Sequence, residues 1–198
     1  MRYLGRVIKL QIQRERLKRG ERSARRYDPA PLLDVAELEL SENGVWGWTV
    51  AGKRLTDVHN CEHVSHNHRG ENGISLGFTG HYSAMRARFG PRLEDGIAGE
   101  NILIESADVH DLQEFSNGLR IVTEGDAPVD VCRICVAEPC LEFTRFALDL
   151  ESDSNSAKPV TEALQFLRRG LRGFYATREG PPARIRLGAQ VFVSGPRS

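Results

Sequence analysis

The sequence predicts a single domain, mainly β with a few helices, folded as a mostly antiparallel barrel or curled sheet. Three observations predict it. Short runs rich in Val, Ile and Leu recur along the chain, set apart by Gly, Pro, Asn and Asp, which is the punctuation of many short strands. Only two or three stretches repeat at helical spacing, and they do not alternate regularly with the strands, which disfavours a doubly wound parallel sheet. A chain of 198 residues with 40% hydrophobic content fills one core and leaves a second independent domain cramped. Helices packed over the openings or edges of such a barrel would protect its strands from edge-to-edge pairing.

Residues 3–13 open the chain with a strand, alternating through Leu4, Arg6, Ile8, Leu10 and Ile12. The stretch that follows is basic, with seven basic and two acidic side chains in residues 14–26, and it closes on Asp28-Pro29. It reads as a long exposed loop over 14–31. Residues 32–40 and 45–50 are two strands joined through Ser41-Glu42-Asn43-Gly44, whose Asn-Gly pair is a strong hairpin signal. Trp46 and Trp48 share one face of the second strand, where packing is their default role. Residues 57–73, DVHNCEHVSHNHRGENG, are polar and aperiodic, hence a loop.

After a short buried strand at 74–76, Phe78, Tyr82, Met85 and Phe89 fall on one face of a helix that Gly90-Pro91 stops. Residues 96–106, GIAGENILIES, are a glycine-rich turn running into a strand at 102–104. A helical turn at 111–115 and a strand at 118–124 lead to the strand at 129–136. There Pro139-Cys140 turns the chain into a helix carrying Leu141, Phe143 and Phe146. A polar linker at 151–158, a helix marked by Val160, Leu164 and Leu167, and closing strands at 173–176, 183–187 and 189–193 complete the chain.

The 27 basic and 27 acidic residues balance, so no global field argues for nucleic acid or an anionic membrane. No stretch reaches the ~20 apolar residues of a membrane span, and the first residues lack a signal-peptide core. A cytoplasmic protein is expected, with Cys61, Cys132, Cys135 and Cys140 reduced. Among the basic residues Arg outnumbers Lys 23 to four, which supplies planar forks for phosphate or carboxylate.

Cys140 is the thiol placed to act. In the first turn of a helix, unpaired N–H groups and the helix dipole favour a thiolate, the state a nucleophile or soft-metal ligand needs. Spacing alone leaves it open between a site and a buried structural thiol. Cys132 and Cys135, three apart in a strand, are expected on opposite faces and therefore not on one metal ion. The loop set Cys61, His63, His66 and His68 does not follow the usual zinc spacings. A zinc- or nucleic-acid-binding module built on that loop and the basic segment is the alternative reading.

Five pieces in register resemble one family: His68-Arg69-Gly70 with Glu71-Asn72-Gly73, the aromatic helix 78–89, Gly99-Glu100-Asn101-Ile102, Pro139-Cys140, and Gly173-Phe174-Tyr175 ahead of the last strand. Together they span most of residues 32–193 and resemble a stand-alone MOSC domain, the module found at the C-terminus of molybdenum cofactor sulfurases. The resemblance implies a β-barrel that binds molybdenum cofactor. Cys140 would be its molybdenum ligand or persulfide carrier, and Arg69, Gly70, Asn72, Gly99, Glu100, Asn101 and Arg133 its surroundings. It implies sulfur transfer or reduction of N-hydroxylated substrates, with the sulfur or electron donor on a separate chain. Many members carry an Arg shortly before Pro-Cys; here Ala137 and Glu138 stand there, and its anion-gripping role is expected to pass to Arg133, Arg69 or Arg54. The resemblance thus expects the Cys140 sulfur on a ligand-sized cleft, with glycine backbone and arginine heads around it.

Overall fold

The computed structural model describes residues 1–21, 24–150 and 157–195. Most of the expected linker, residues 151–156, lies outside them. The strands are β1 (Arg2–Gln13), β2 (Lys18–Arg19), β3 (Arg26–Tyr27), β4 (Leu32–Asp34), β5 (Glu37–Ser41), β6 (Gly44–Trp48) and β7 (Arg54–Thr56). They continue as β8 (Ile74–Phe78), β9 (Ile102–Glu105), β10 (Leu119–Val122), β11 (Val129–Val136), β12 (Phe174–Thr177), β13 (Ala183–Arg186) and β14 (Gln190–Val193). The helices are α1 (Thr79–Phe89), α2 (Leu141–Ala147) and α3 (Ala157–Leu167), with a 3-10 turn at Leu112–Phe115.

Seven strands close into a barrel in the order β1-β14-β10-β11-β12-β8-β9 and back to β1, and all but one of these pairs are antiparallel. The parallel pair is β8 with β9, where Leu76 faces Ile102; α1 forms part of the crossover between them. Closure leaves none of the seven with an open edge. A second sheet, β13-β5-β6-β7, stands beside the barrel.

The expected strand at 32–40 is two strands. β4 pairs with β1, and at Val35-Ala36 the chain changes partner: Val35 N–H donates to the Leu10 carbonyl and Ala36 N–H to the Trp48 carbonyl. β7 had no sequence expectation. The Asn43-Gly44 hairpin forms as expected between β5 and β6.

Two apolar clusters hold these layers together. The barrel interior is filled by residues such as Leu10, Leu76, Phe78, Ile102, Ile121 and Phe174, all essentially without solvent contact. The second cluster lies against α1 and α2 and includes Tyr82, Met85, Leu103 and Phe143. The aromatic stripe of α1 is thus core, as its spacing predicts. The basic segment is not wholly an exposed loop: Leu17 and Tyr27 enter the second cluster, with Tyr27 edge-on to Phe143 at 5.1 Å. Burying such side chains contributes about 1.5–3 kcal/mol each, enough to pin the loop to α2.

β11 carries the irregularity that matters most. Cys132 pairs with Thr177 and Cys135 with Tyr175, so three steps on β11 match two on β12. Arg133 takes up the extra step with φ of 49°. The bulge cancels the alternation. Cys132 and Cys135 therefore face the same side, correcting the expectation from an unbroken strand.

Candidate functional site

A cleft of about 360 Å³ opens where the end of β1, the basic segment, the 57–73 loop, the end of β11 and the entry to β12 meet. That volume is in the range of small-molecule sites. Cys140 lines it, half-buried, as the N-cap of α2: Phe143 N–H donates to its Sγ at 3.4 Å and Thr144 N–H to its carbonyl at 3.0 Å. Pro139 just before it cannot extend the helix backwards, which fixes the thiol at the corner. Cys135 lines the same cleft, where burial first and the neighbouring Glu71 second push its thiol above the ordinary range. All four cysteines are free thiols.

Cations converge on the cleft from three directions: Arg16 and Lys18 from the basic segment, Arg69 from the 57–73 loop and Arg172 from the turn before β12. Arg172 is the unusual one. Burial pulls its guanidinium down, but Glu100, then Tyr175, Tyr27 and Cys140, hold it above its ordinary value, so it remains charged. Its Cζ lies 5.4 Å from the Phe143 ring centroid, and its Nη1 is buried with no hydrogen-bond partner among the described residues.

Glu100 stands behind it. Burial pushes this carboxyl up, opposed by Arg172 and by the Tyr82 hydroxyl, which donates to Oε2 at 2.7 Å. The glycines on either side make room. Gly99 has φ of 91°, and Gly173 has φ of 105° with space so tight that a Cβ would stand 2.5 Å from the Leu76 carbonyl oxygen. Both positions favour glycine for conformation and for space.

The expected binding residues divide between lining and support. Arg69 and Asn72 line the cleft; Asn72 accepts the Arg69 N–H at 2.7 Å and donates to the Asn67 carbonyl at 2.8 Å, closing the loop, with Gly70 at φ of 86° in its turn. Gly99, Glu100 and Asn101 are buried and not among the lining residues. Asn101 accepts from Ser75 Oγ at 2.9 Å and donates to Asp57 at 3.0 Å, so the motif buttresses the cleft from behind. Arg133 is a correction. The bulge turns it outward, where it pairs with Glu179 at 2.7 Å, and it does not line the cleft. Arg54 is also elsewhere, paired with Glu39 and stacked 3.8 Å over Trp46. Of the three arginines expected to grip an anion, only Arg69 lines the cleft.

The loop histidines serve the backbone: His63 bonds the Arg14 carbonyl at 3.1 Å and His68 the His59 carbonyl at 2.8 Å. Among the described residues no three His, Cys, Asp or Glu side chains gather to hold a metal ion. Within the basic segment Arg19 pairs with Glu15 and Asp28, and Lys18 pairs with Glu142. These pairs reduce the charge that segment presents to a polyanion. No helix among the described residues is long and apolar enough to cross a membrane.

His59 and Arg172 were not singled out by the sequence reading. Asp57-x-His59 was a local signal available for the first, since Asp in that spacing bonds the backbone two residues on. Nothing local marks Arg172, whose role depends on Glu100, 72 positions earlier in the chain.

The architecture is a closed β-barrel of MOSC-like fold. It is shared with solved structures of low sequence similarity. The YuaD protein from Bacillus subtilis has a TM-score of 0.54 at 15% identity over 94% of this chain and 93% of that one. A hypothetical protein scores 0.53 at 14% identity, covering 98% of this chain and 70% of its own. No family model matches the sequence, and no curated protein matches it.

Proposed function

We propose that this chain is a MOSC protein that binds molybdenum cofactor in the cleft and reduces N-hydroxylated compounds. The observation that carries the proposal is that Cys140 and Arg172, whose buried Nη1 has no hydrogen-bond partner among the described residues, line one cleft. A thiolate is a soft ligand suited to molybdenum, and guanidinium and ammonium groups suit the phosphate of the pterin. The donor set therefore fits the group: Cys140 would hold the metal, and Arg172, Arg69, Arg16 and Lys18 the anionic end. When bound, the cofactor supplies two-electron oxygen-atom chemistry. The chain supplies the anchor, the charge and, through Tyr27, Val58 and Leu17, apolar walls that limit water.

A persulfide on Cys140 needs a thiol and little else. Four cations around the same cleft favour a larger anionic ligand, so reduction is preferred to sulfur carriage. The test is molybdenum and pterin analysis of protein expressed in a host that makes the cofactor. Wild type, Cys132→Ser and Cys135→Ser are expected to carry both, and Cys140→Ser to lose molybdenum while keeping its fold. Equal molybdenum in Cys140→Ser and wild type refutes the assignment.

A further inference from the structure

His59 lines the same cleft as Cys140, and its ring is held in place. Asp57 is fully buried, and its Oδ1 accepts both the His59 backbone N–H at 2.8 Å and the ring Nδ1 at 3.0 Å. Oδ2 is occupied by the Gln13 N–H at 2.7 Å and the Asn101 amide at 3.0 Å. Burial works against charge on this carboxyl, yet the His59 side chain and the two backbone donors outweigh it and hold Asp57 below the usual carboxylate range. An ionised carboxylate only accepts, so Nδ1 carries a proton and the neutral ring has its lone pair on Nε2. Among the described residues the ring's only hydrogen bond runs to Asp57. Nε2 is thus the position free to exchange a proton. The charged groups that share the cleft are Arg16, Lys18, Arg69 and Arg172 against Glu71 and Glu138, and Tyr175 lies 6.4 Å from the ring.

We infer that His59, oriented by Asp57, is the proton donor of the reduction proposed above, delivering the Nε2 proton to the oxygen that leaves nitrogen. The inference rests on that reading. Reducing an N-hydroxyl compound takes two electrons and two protons: the N–O bond breaks, and R–NH–OH becomes R–NH2 and water. The electrons come from a separate flavin or iron–sulfur protein. Nε2 first takes up a solvent proton, which then passes to the departing oxygen, and the second proton also comes from solvent. His59 is left neutral, with the Nδ1 proton still on the ring and donated to Asp57, and a solvent proton reloads Nε2.

The test uses the full chain expressed with cofactor, reduced methyl viologen as donor and hydroxylamine as oxidant. His59→Asn and His59→Gln are expected to keep wild-type molybdenum and pterin while turnover falls at least ~100-fold, the scale of general acid catalysis, with partial recovery on adding imidazole. In apo wild type, ¹⁵N NMR of the histidines is expected to show neutral His59 protonated at Nδ1 and bare at Nε2. Turnover within threefold of wild type in either loaded variant, or a neutral ring protonated at Nε2, overturns the role of His59 alone. Wild type that takes up no molybdenum overturns the proposed function and this role with it.

Discussion

Replacing Asp57 with Ala should cost more stability than any surface change in this protein. The carboxylate accepts from four donors, the backbone N–H groups of Gln13 and His59, the His59 ring and the Asn101 amide, at 2.7 to 3.0 Å and out of contact with solvent. Three of these donors are buried with no second acceptor offered by the fold, and each loses about 1–3 kcal/mol when left bare. Water entering the vacated space offsets part of this, leaving a net loss of about 3–5 kcal/mol. For a domain of this size that is a fall in Tm of roughly 10 °C. Urea unfolding at pH 7 measures it directly.

The same carboxylate links stability to pH. Its folded pKa is lowered, so the unfolded chain takes up the proton first; the stabilisation is full above the unfolded value of about 4 and is lost as pH falls through the folded one. Asp57→Ala should therefore show a shallower loss of stability below pH 4 than wild type. A variant within 1 kcal/mol of wild type at pH 7, with an unchanged acid limb, would show that the four donors find other partners.

Two further predictions concern stability alone. His81 is buried and accepts the His110 N–H at 2.9 Å; burial first, and His110 second, lower its pKa from 6.5 to about 4. The unfolded chain protonates first, so stability of the order of 3 kcal/mol is present above pH 6.5 and lost as pH falls towards 4. His81→Gln should flatten that limb in urea titrations across pH 7 to 4, and an unchanged limb refutes the assignment. Gly173→Ala places a Cβ 2.5 Å from the Leu76 carbonyl oxygen at φ of 105°, and should lower stability by about 2 kcal/mol or more, read by thermal unfolding.

What the sequence made legible was local. Asn43-Gly44 marked its hairpin because the turn is specified by the residues in it. The stripe from Phe78 to Phe89 marked α1 because helix periodicity is carried by its own residues, and Pro139-Cys140 marked the corner that positions the thiol. The features that escaped depend on residues far apart. The β11 bulge exists only against β12, so nothing in residues 129–136 alone shows that Arg133 turns away from the cleft to Glu179. Gly99-Glu100-Asn101 is a weak signal by itself, and only the family resemblance set it around a cofactor. Its partners are Tyr82, Ser75 and Asp57, which make it a support instead. Leu17 and Tyr27 were lost in a run of charge, where composition says loop and only the neighbouring Phe143 says otherwise.

The pairing of β1 with β14 has a consequence for how the molecule comes to exist. Arg2 lies opposite Val193, so the seam of the barrel joins two strands far apart in the chain. A nascent chain still short of β14 leaves β1 and β10 each with a bare side, and the ring shuts only once β14 has been made. Such distant pairing predicts slow refolding from denaturant, and during that delay the two unpaired strands are where neighbouring copies stick.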